Sequence, residues 1–223
     1  MRQRRLVEAL AATGGLFLAA FATQCTSFGS EAEELRDAGQ EAAKIADAGL
    51  QDSATAQEAG PKRIFLSKAE YSGDLVSAAR ASGRYDGGGG LVAGDTLCEL
   101  EARDLPGAKR WRAWLSVAGV GALSRFDDKG ARVDLSGEIV LPRIGADAKI
   151  LVADRDGRTD GGARKAWTAT SGNGLPIAND CDSWAAAAGA RGAGGDPSSI
   201  ARWTEAYYAE FCETSARLYC VED

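Results

Sequence analysis

Apolar and polar positions recur along this chain at spacings that change from one stretch to the next. Arg63-Ile64-Phe65-Leu66-Ser67 is a short apolar run with polar ends, which predicts a first strand, closed by a turn at Tyr71-Ser72-Gly73. From Gly87 a four-glycine run hands over to a helical pattern carrying Cys98. Leu97 and Leu100 share one face of it, with Glu99, Glu101 and Asp104 on the other. Pro106-Gly107 ends that helix, because proline lacks the amide donor and glycine supplies turn dihedrals. Trp111-Arg112-Ala113-Trp114-Leu115-Ser116 follows, short and aromatic-rich, as suits a strand against a core. The stretch from Gly87 to Ser116 is therefore the expected nucleus of a domain.

Further short apolar runs follow at Ala131 to Leu135, Glu138 to Leu141, Lys149 to Ala153 and Lys165 to Thr170. Asp156-Gly157, Gly161-Gly162 and Asn173-Gly174 punctuate them as turns. Arg191 to Pro197 reads as an exposed insertion. Ser198 to Glu213 predicts a second helix, capped by Ser198 or Ser199, with Ile200, Trp203, Tyr207 and Phe211 at helical spacing. Arg217-Leu218-Tyr219-Cys220-Val221 predicts a final strand. Short strands, glycine turns and one or two helices define a mixed α+β domain.

The N-terminal pattern is of another kind. Met1 to Arg5 is positively charged, and a mostly apolar run from Leu10 to Ala22 is too short to span a bilayer, so an export signal is expected. Ala20-Phe21-Ala22 fits cleavage before Thr23. Alternatively Cys25 is a lipidated cysteine, although Gln24 stands where such signals usually carry Gly, Ala or Ser. Arg4-Arg5 is also the pair that twin-arginine export uses. Lipidation at Cys25 is preferred, because an unpaired exposed thiol is a liability. The expected organisation is an export signal at 1–24, an acidic Ala/Glu-rich tether at 25–61 and one domain at 62–223.

Charge supports that division. Phe28 to Gly60 holds eight acidic and two basic residues, whereas Pro61 to Asp223 holds 23 acidic and 21 basic. With a net charge of −6 overall, a nucleic-acid partner is not expected. The 45% hydrophobic and 26% charged content excludes wholesale disorder. The chain has no histidine, which removes His-based zinc sites and both Ser-His-Asp and Cys-His catalysis. Cys98, Cys181, Cys212 and Cys220 form an even set that reads as two disulfides in an exported domain, with three connectivities open. No Cys-x-x-Cys pair supports redox chemistry.

Few residues suggest chemistry. Asp154, Asp156 and Asp160 alternate around a glycine turn as calcium ligands can, but Arg155 and Arg158 interrupt them and no bidentate Glu follows. A polar turn is the better reading there, and at Asp127-Asp128-Lys129-Gly130. Ser116 and Ser124 lack a nucleophile-elbow setting. Most of the five tryptophans read as core; Trp184 is the best placed for partial exposure and so the candidate platform for a ligand, although a structural role is the better reading there too.

Taken in order, several motifs form a pattern: Arg63-Ile64-Phe65-Leu66; Gly89-Gly90-Leu91 leading to Asp95 and Cys98; Trp111-x-Ala-Trp-Leu-Ser; Trp167-Thr168; Asp180-Cys181-x-x-Trp184; Leu218-Tyr219-Cys220. That order resembles a family of uncharacterised bacterial envelope lipoproteins whose domain is similar to the endostatin and C-type lectin-like fold. The resemblance implies twisted short strands, two helices and nested disulfides, Cys98–Cys220 and Cys181–Cys212. Sites of the wider fold do not transfer. Calcium-dependent lectins carry Glu-Pro-Asn or Gln-Pro-Asp, whereas Pro176 here sits between Leu175 and Ile177, and endostatin's zinc histidines are missing.

The expectation is thus an exported, lipid-anchored, non-enzymatic binding or structural module of the cell envelope, without a cofactor. Its partner would be an extracellular protein or glycan, and it would meet the membrane through its N-terminal lipid. Its working surface is expected between Phe126 and Asn179 and at Arg191 to Pro197. The alternatives are an envelope hydrolase using carboxylates alone, recognisable by two carboxylates across a cleft, and a calcium-dependent carbohydrate binder.

Overall fold

The computed structural model describes residues 60–107, 110–127, 129–159 and 165–223. The expected signal, Cys25, the tether up to residue 59, Asp128 and Asp160 lie outside the described residues. In chain order the elements are β1 (Lys62–Leu66), α1 (Leu75–Ala81), α2 (Gly90–Ala102), β2 (Trp111–Ala113), β3 (Arg132–Val133), β4 (Ile139–Leu141), β5 (Ala166–Trp167), β6 (Arg191–Gly195), β7 (Tyr207–Phe211) and β8 (Arg217–Glu222). This is a mixed α+β fold around one mixed sheet.

The last strand is the axis of the sheet. Along one edge of β8 runs β1, antiparallel, with Phe65 opposite Cys220. The other edge is shared. β5 lies parallel to it at Arg217 and Leu218, and β2 antiparallel to it from Cys220 to Glu222. Outward from β1 come β3 and β4, and outward from β5 come β6 and β7. A strand with partners on both edges and cover on both faces is an apolar run rather than an alternating one, and Arg217 to Val221 are all buried.

Two cores sit on the two faces, and the period-two direction of strand side chains sorts residues between them. Phe65, Leu218 and Cys220 face α1 and α2, together with Leu75, Leu97, Trp111, Leu115, Trp167 and Trp184. Ile64, Leu66, Tyr219 and Val221 face the opposite side, packed with Trp114, Phe126, Leu141, Val152 and Trp203. Cys98 of α2 is bonded to Cys220 of β8 across 122 residues, and Cys181 to Cys212 across 31. These are the pairs that the resemblance implied. In the chain-entropy account such loops stabilise by about 5 and roughly 4 kcal/mol respectively.

Three segments differ from the sequence reading. Arg191 to Gly195 is no exposed insertion but strand β6, buried from Gly192 onward. Its glycines serve close approach: a Cβ on Gly195 would stand 1.7 Å from the Trp203 carbonyl oxygen, and one on Gly194 2.5 Å from that of Ala166. Ser198 to Glu213 is not a helix. Turns and bends lead into β7, with Trp203 in the core and Ile200 and Phe211 exposed. Lys149 to Ala153 forms no strand, although its ends bond Val140 and Leu66. The sequence reading also passed over α1, whose N-cap Asp74 accepts from the Ser77 N–H at 2.9 Å.

Candidate functional site

Six non-glycine residues among those described have positive φ, and all fall between Ala169 and Trp184. Four are consecutive. Cys181, Asp182, Ser183 and Trp184 have φ of 53°, 54°, 57° and 63°, a turn of left-handed helix closed by Trp184 N–H to Asp180 O at 2.7 Å and Ala185 N–H to Cys181 O at 3.2 Å. For L-residues this costs roughly 1–2 kcal/mol each, because Cβ crowds the following carbonyl oxygen. Such a conformation persists only where its surroundings over-determine it.

The surroundings here do so. Cys181 is tied to Cys212. Trp184 is fully buried beside Trp167, with its indole N–H donating to Ser116 O at 2.8 Å. The Asp180 carboxylate accepts from the Ser183 N–H at 3.0 Å and the Ala118 N–H at 3.2 Å. Gly90, the first residue of α2, lies so close that a Cβ there would come within 2.0 Å of Ser183 O. The left-handed turn is a wedge between α2 and the loop after β2. Trp184 is accordingly not a ligand platform: its ring packs inside, and only the backbone and the side chains of Asp182 and Ser183 reach solvent.

Neighbouring loops join the wedge in one hydrogen-bonded face. Leu123 N–H donates to Gly174 O at 3.2 Å, bringing loop 117–123 against loop 170–176. Gly172 N–H donates to Glu205 Oε2 at 2.7 Å, and the Tyr208 hydroxyl donates to Glu205 Oε1 at 2.9 Å. That carboxylate beside it raises the Tyr208 pKa. The Asn179 side-chain amide reaches the Tyr208 carbonyl. On this pinned framework Val120, Leu175 and Tyr208 are 39%, 56% and 59% exposed. Apolar side chains held outward by a rigid frame bind at low ordering cost. This face shares only 169–179 with the surface expected from sequence. Of its remaining parts, 117–123 and 180–185 carry no element in the sequence reading and 203–209 falls in the expected second helix, so only the left-handed geometry distinguishes the face.

A separate cleft of about 400 Å³ runs beside α2, lined by Arg84, Asp86, Asp95, Glu99, Arg110 and Trp111 among others. It is the place to look for paired carboxylates. Asp95 and Glu99 stand one turn apart on a single helix, side by side rather than facing across the cleft. Asp95 is held by Arg125, Nη2 lying 2.6 Å from both oxygens, and accepts from the Ala113 N–H at 2.9 Å. Burial raises the Asp95 pKa, opposed by Arg125 and by the Ala113 N–H. Partial burial and the Asp95 charge raise that of Glu99, with Arg110 opposing.

Of the residues considered for calcium, the two that are described, Asp154 and Asp156, are otherwise engaged. Asp154 is buried, and its Oδ1 accepts from the N–H groups of Asp156 and Arg158 at 2.9 and 3.0 Å, closing an Asx turn. Its Oδ2 lies 3.5 Å from the buried Arg217. Asp156 pairs with Lys68 at 3.0 Å. No three metal-ligating side chains converge among the described residues. No protein-family model matches the chain, and no curated protein does.

Proposed function

We propose that this chain is an exported, lipid-anchored, non-enzymatic binding module of the cell envelope, with a C-type lectin-like or endostatin-like domain, and that the strained loop face is its contact surface. The observation that carries this is the confinement, among the described residues, of left-handed non-glycine backbone to residues 169–184, beside outward-held Val120, Leu175 and Tyr208. Strain that a fold maintains in its loops marks the place where shape matters. The charged leader and apolar run before Cys25, with the acidic stretch after it, support export and a tethered anchor. Two buried disulfides accord with an oxidising compartment. A carboxylate hydrolase draws little support, since Asp95 is spent on Arg125.

Two measurements test the proposal. Mass spectrometry of the mature N-terminus should find a lipid on Cys25; cleavage before Thr23 would remove the anchor. A photo-reactive residue placed at 175 in cells should give a discrete adduct that the same residue at 77, on α1, does not. Identical labelling at both positions would remove the contact surface.

A further inference from the structure

The loop face has a charge bias that the rest of the domain lacks. Residues 117–121, 169–190 and 203–209 contain Asp180, Asp182 and Glu205 and no lysine or arginine. Elsewhere the two signs are mixed, since Pro61 to Asp223 holds 21 basic and 23 acidic residues. The flanking cations are exposed but engaged. The Arg191 guanidinium lies 3.4 Å over the Phe211 ring, and Arg202 pairs with Asp196 at 3.5 Å. Two of the three carboxylates are held by backbone donors. Asp180 and Glu205 accept backbone N–H groups from Ala118 and Gly172, and Asp182 is carried by the wedge.

Resting on the reading of this face as the contact surface, we infer that its partner is a protein segment presenting apolar side chains flanked by lysine or arginine. Val120, Leu175 and Tyr208 supply the apolar centre, where a contact core contributes most of its energy. Asp180, Asp182 and Glu205 give the face a net negative charge, with Arg202 at its edge beside Tyr208, and that balance steers association and penalises acidic competitors. Asp182 is exposed and Asp180 and Glu205 are half-buried, so salt screens much of their contribution and leaves that of the apolar centre. A neutral glycan would show the reverse, with no dependence on salt.

The test uses the whole mature protein and two fluorescent peptides, one alternating leucine with lysine and one alternating leucine with glutamate, read by anisotropy at low and high salt. The Leu/Lys peptide is expected to bind, more weakly as salt rises, and the Leu/Glu peptide not to. Leu175→Ser should weaken binding about tenfold, the loss of one central contact. Asp182→Asn should weaken it roughly threefold, as for one exposed charge pair, and asparagine keeps the left-handed backbone accessible. Lys68→Ala, away from the face, should change nothing. Equal binding of both peptides, no binding of either, or wild-type affinity in both face variants would overturn the inference. An adduct at position 175 without Leu/Lys binding would discard the cationic partner and leave the contact surface standing. Failure of both would discard both.

Discussion

The indole N–H of Trp184 donates to the carbonyl oxygen of Ser116, 68 residues earlier in the chain, at 2.8 Å. The bond joins the end of the left-handed turn to the segment that follows β2, and it is fully buried. A buried carbonyl and a buried indole nitrogen each need a partner, so each fixes the other. The loop face rests on this contact.

Removing it separates packing from polarity. Trp184→Ala should cost about 4 kcal/mol, since it empties an indole-sized volume from the helix-side core. Trp184→Phe keeps most of the ring and strands Ser116 O, at a cost of about 1–2 kcal/mol. Urea unfolding of the two variants measures both; equal losses would mean that the hydrogen bond carries the site.

Relieving the backbone should stabilise. Ser183 is exposed at φ 57°, so Ser183→Gly removes a left-handed penalty of roughly 1–2 kcal/mol and adds an unfolded-state entropy cost of about 0.5–1 kcal/mol. The expected net is a gain of up to about 1 kcal/mol. Val92→Gly, in right-handed α2, should instead lose about 1 kcal/mol. Thermal unfolding of the pair reads the contrast directly. A loss in Ser183→Gly would show that no strain is held there.

The Asp95–Arg125 pair should be costly to break from one side. Asp95→Ala leaves a nearly buried guanidinium without its carboxylate and the Ala113 N–H without its acceptor, for a loss of about 3 kcal/mol. Combining it with Arg125→Met should recover part of that loss, because the unpaired charge goes too. A double-mutant cycle from chemical denaturation gives the coupling; additive losses would mean that the two side chains act independently.

Glu99 and Asp134 give opposite signs of pH dependence. Partial burial and neighbouring Asp95 hold its proton to higher pH in the fold than in the unfolded chain. Between those two values the unfolded chain binds fewer protons, so this group's contribution to stability falls as pH rises. Asp134 runs the other way. Burial would raise its pKa, but hydrogen bonds from Ser136, Glu138 and Gly137 outweigh that, and their stabilisation is lost as pH falls through its lowered value. Glu99→Gln should therefore gain on wild type at neutral pH, with the gain vanishing in acid. Unfolding curves at both pH values check it, and a destabilised Glu99→Gln at neutrality would contradict it.

The elements legible in the sequence are those whose side chains obey one period with one kind of neighbour. β1, β8, the run from Trp111 and the helix around Cys98 all stand where apolar spacing puts them. α1 went unread, although Asp74 precedes Leu75 and Val76 with Ala79 a turn later, because it is short. The segment before Glu213 misled for a geometric reason. Tyr207 and Phe211 are four apart, and residues four apart share a face in a helix and in a strand alike. The glycines of β6 suggested a loose loop, where they in fact let three strands and Trp203 approach one another.

What the sequence by itself determined is the apolar runs of β1 and β8 that enter the core, the lack of histidine chemistry and the even set of four cysteines, because local apolar spacing, reactivity and thiol count are properties of residues. Tertiary structure alone decided the left-handed turn. Cys181-Asp182-Ser183-Trp184 contains no residue that prefers positive φ strongly enough to signal it. The turn exists because Cys212, Ser116, Ala118 and Gly90, all distant in sequence, hold it from several sides at once, and local preference of about a kilocalorie per residue yields to that many fixed partners.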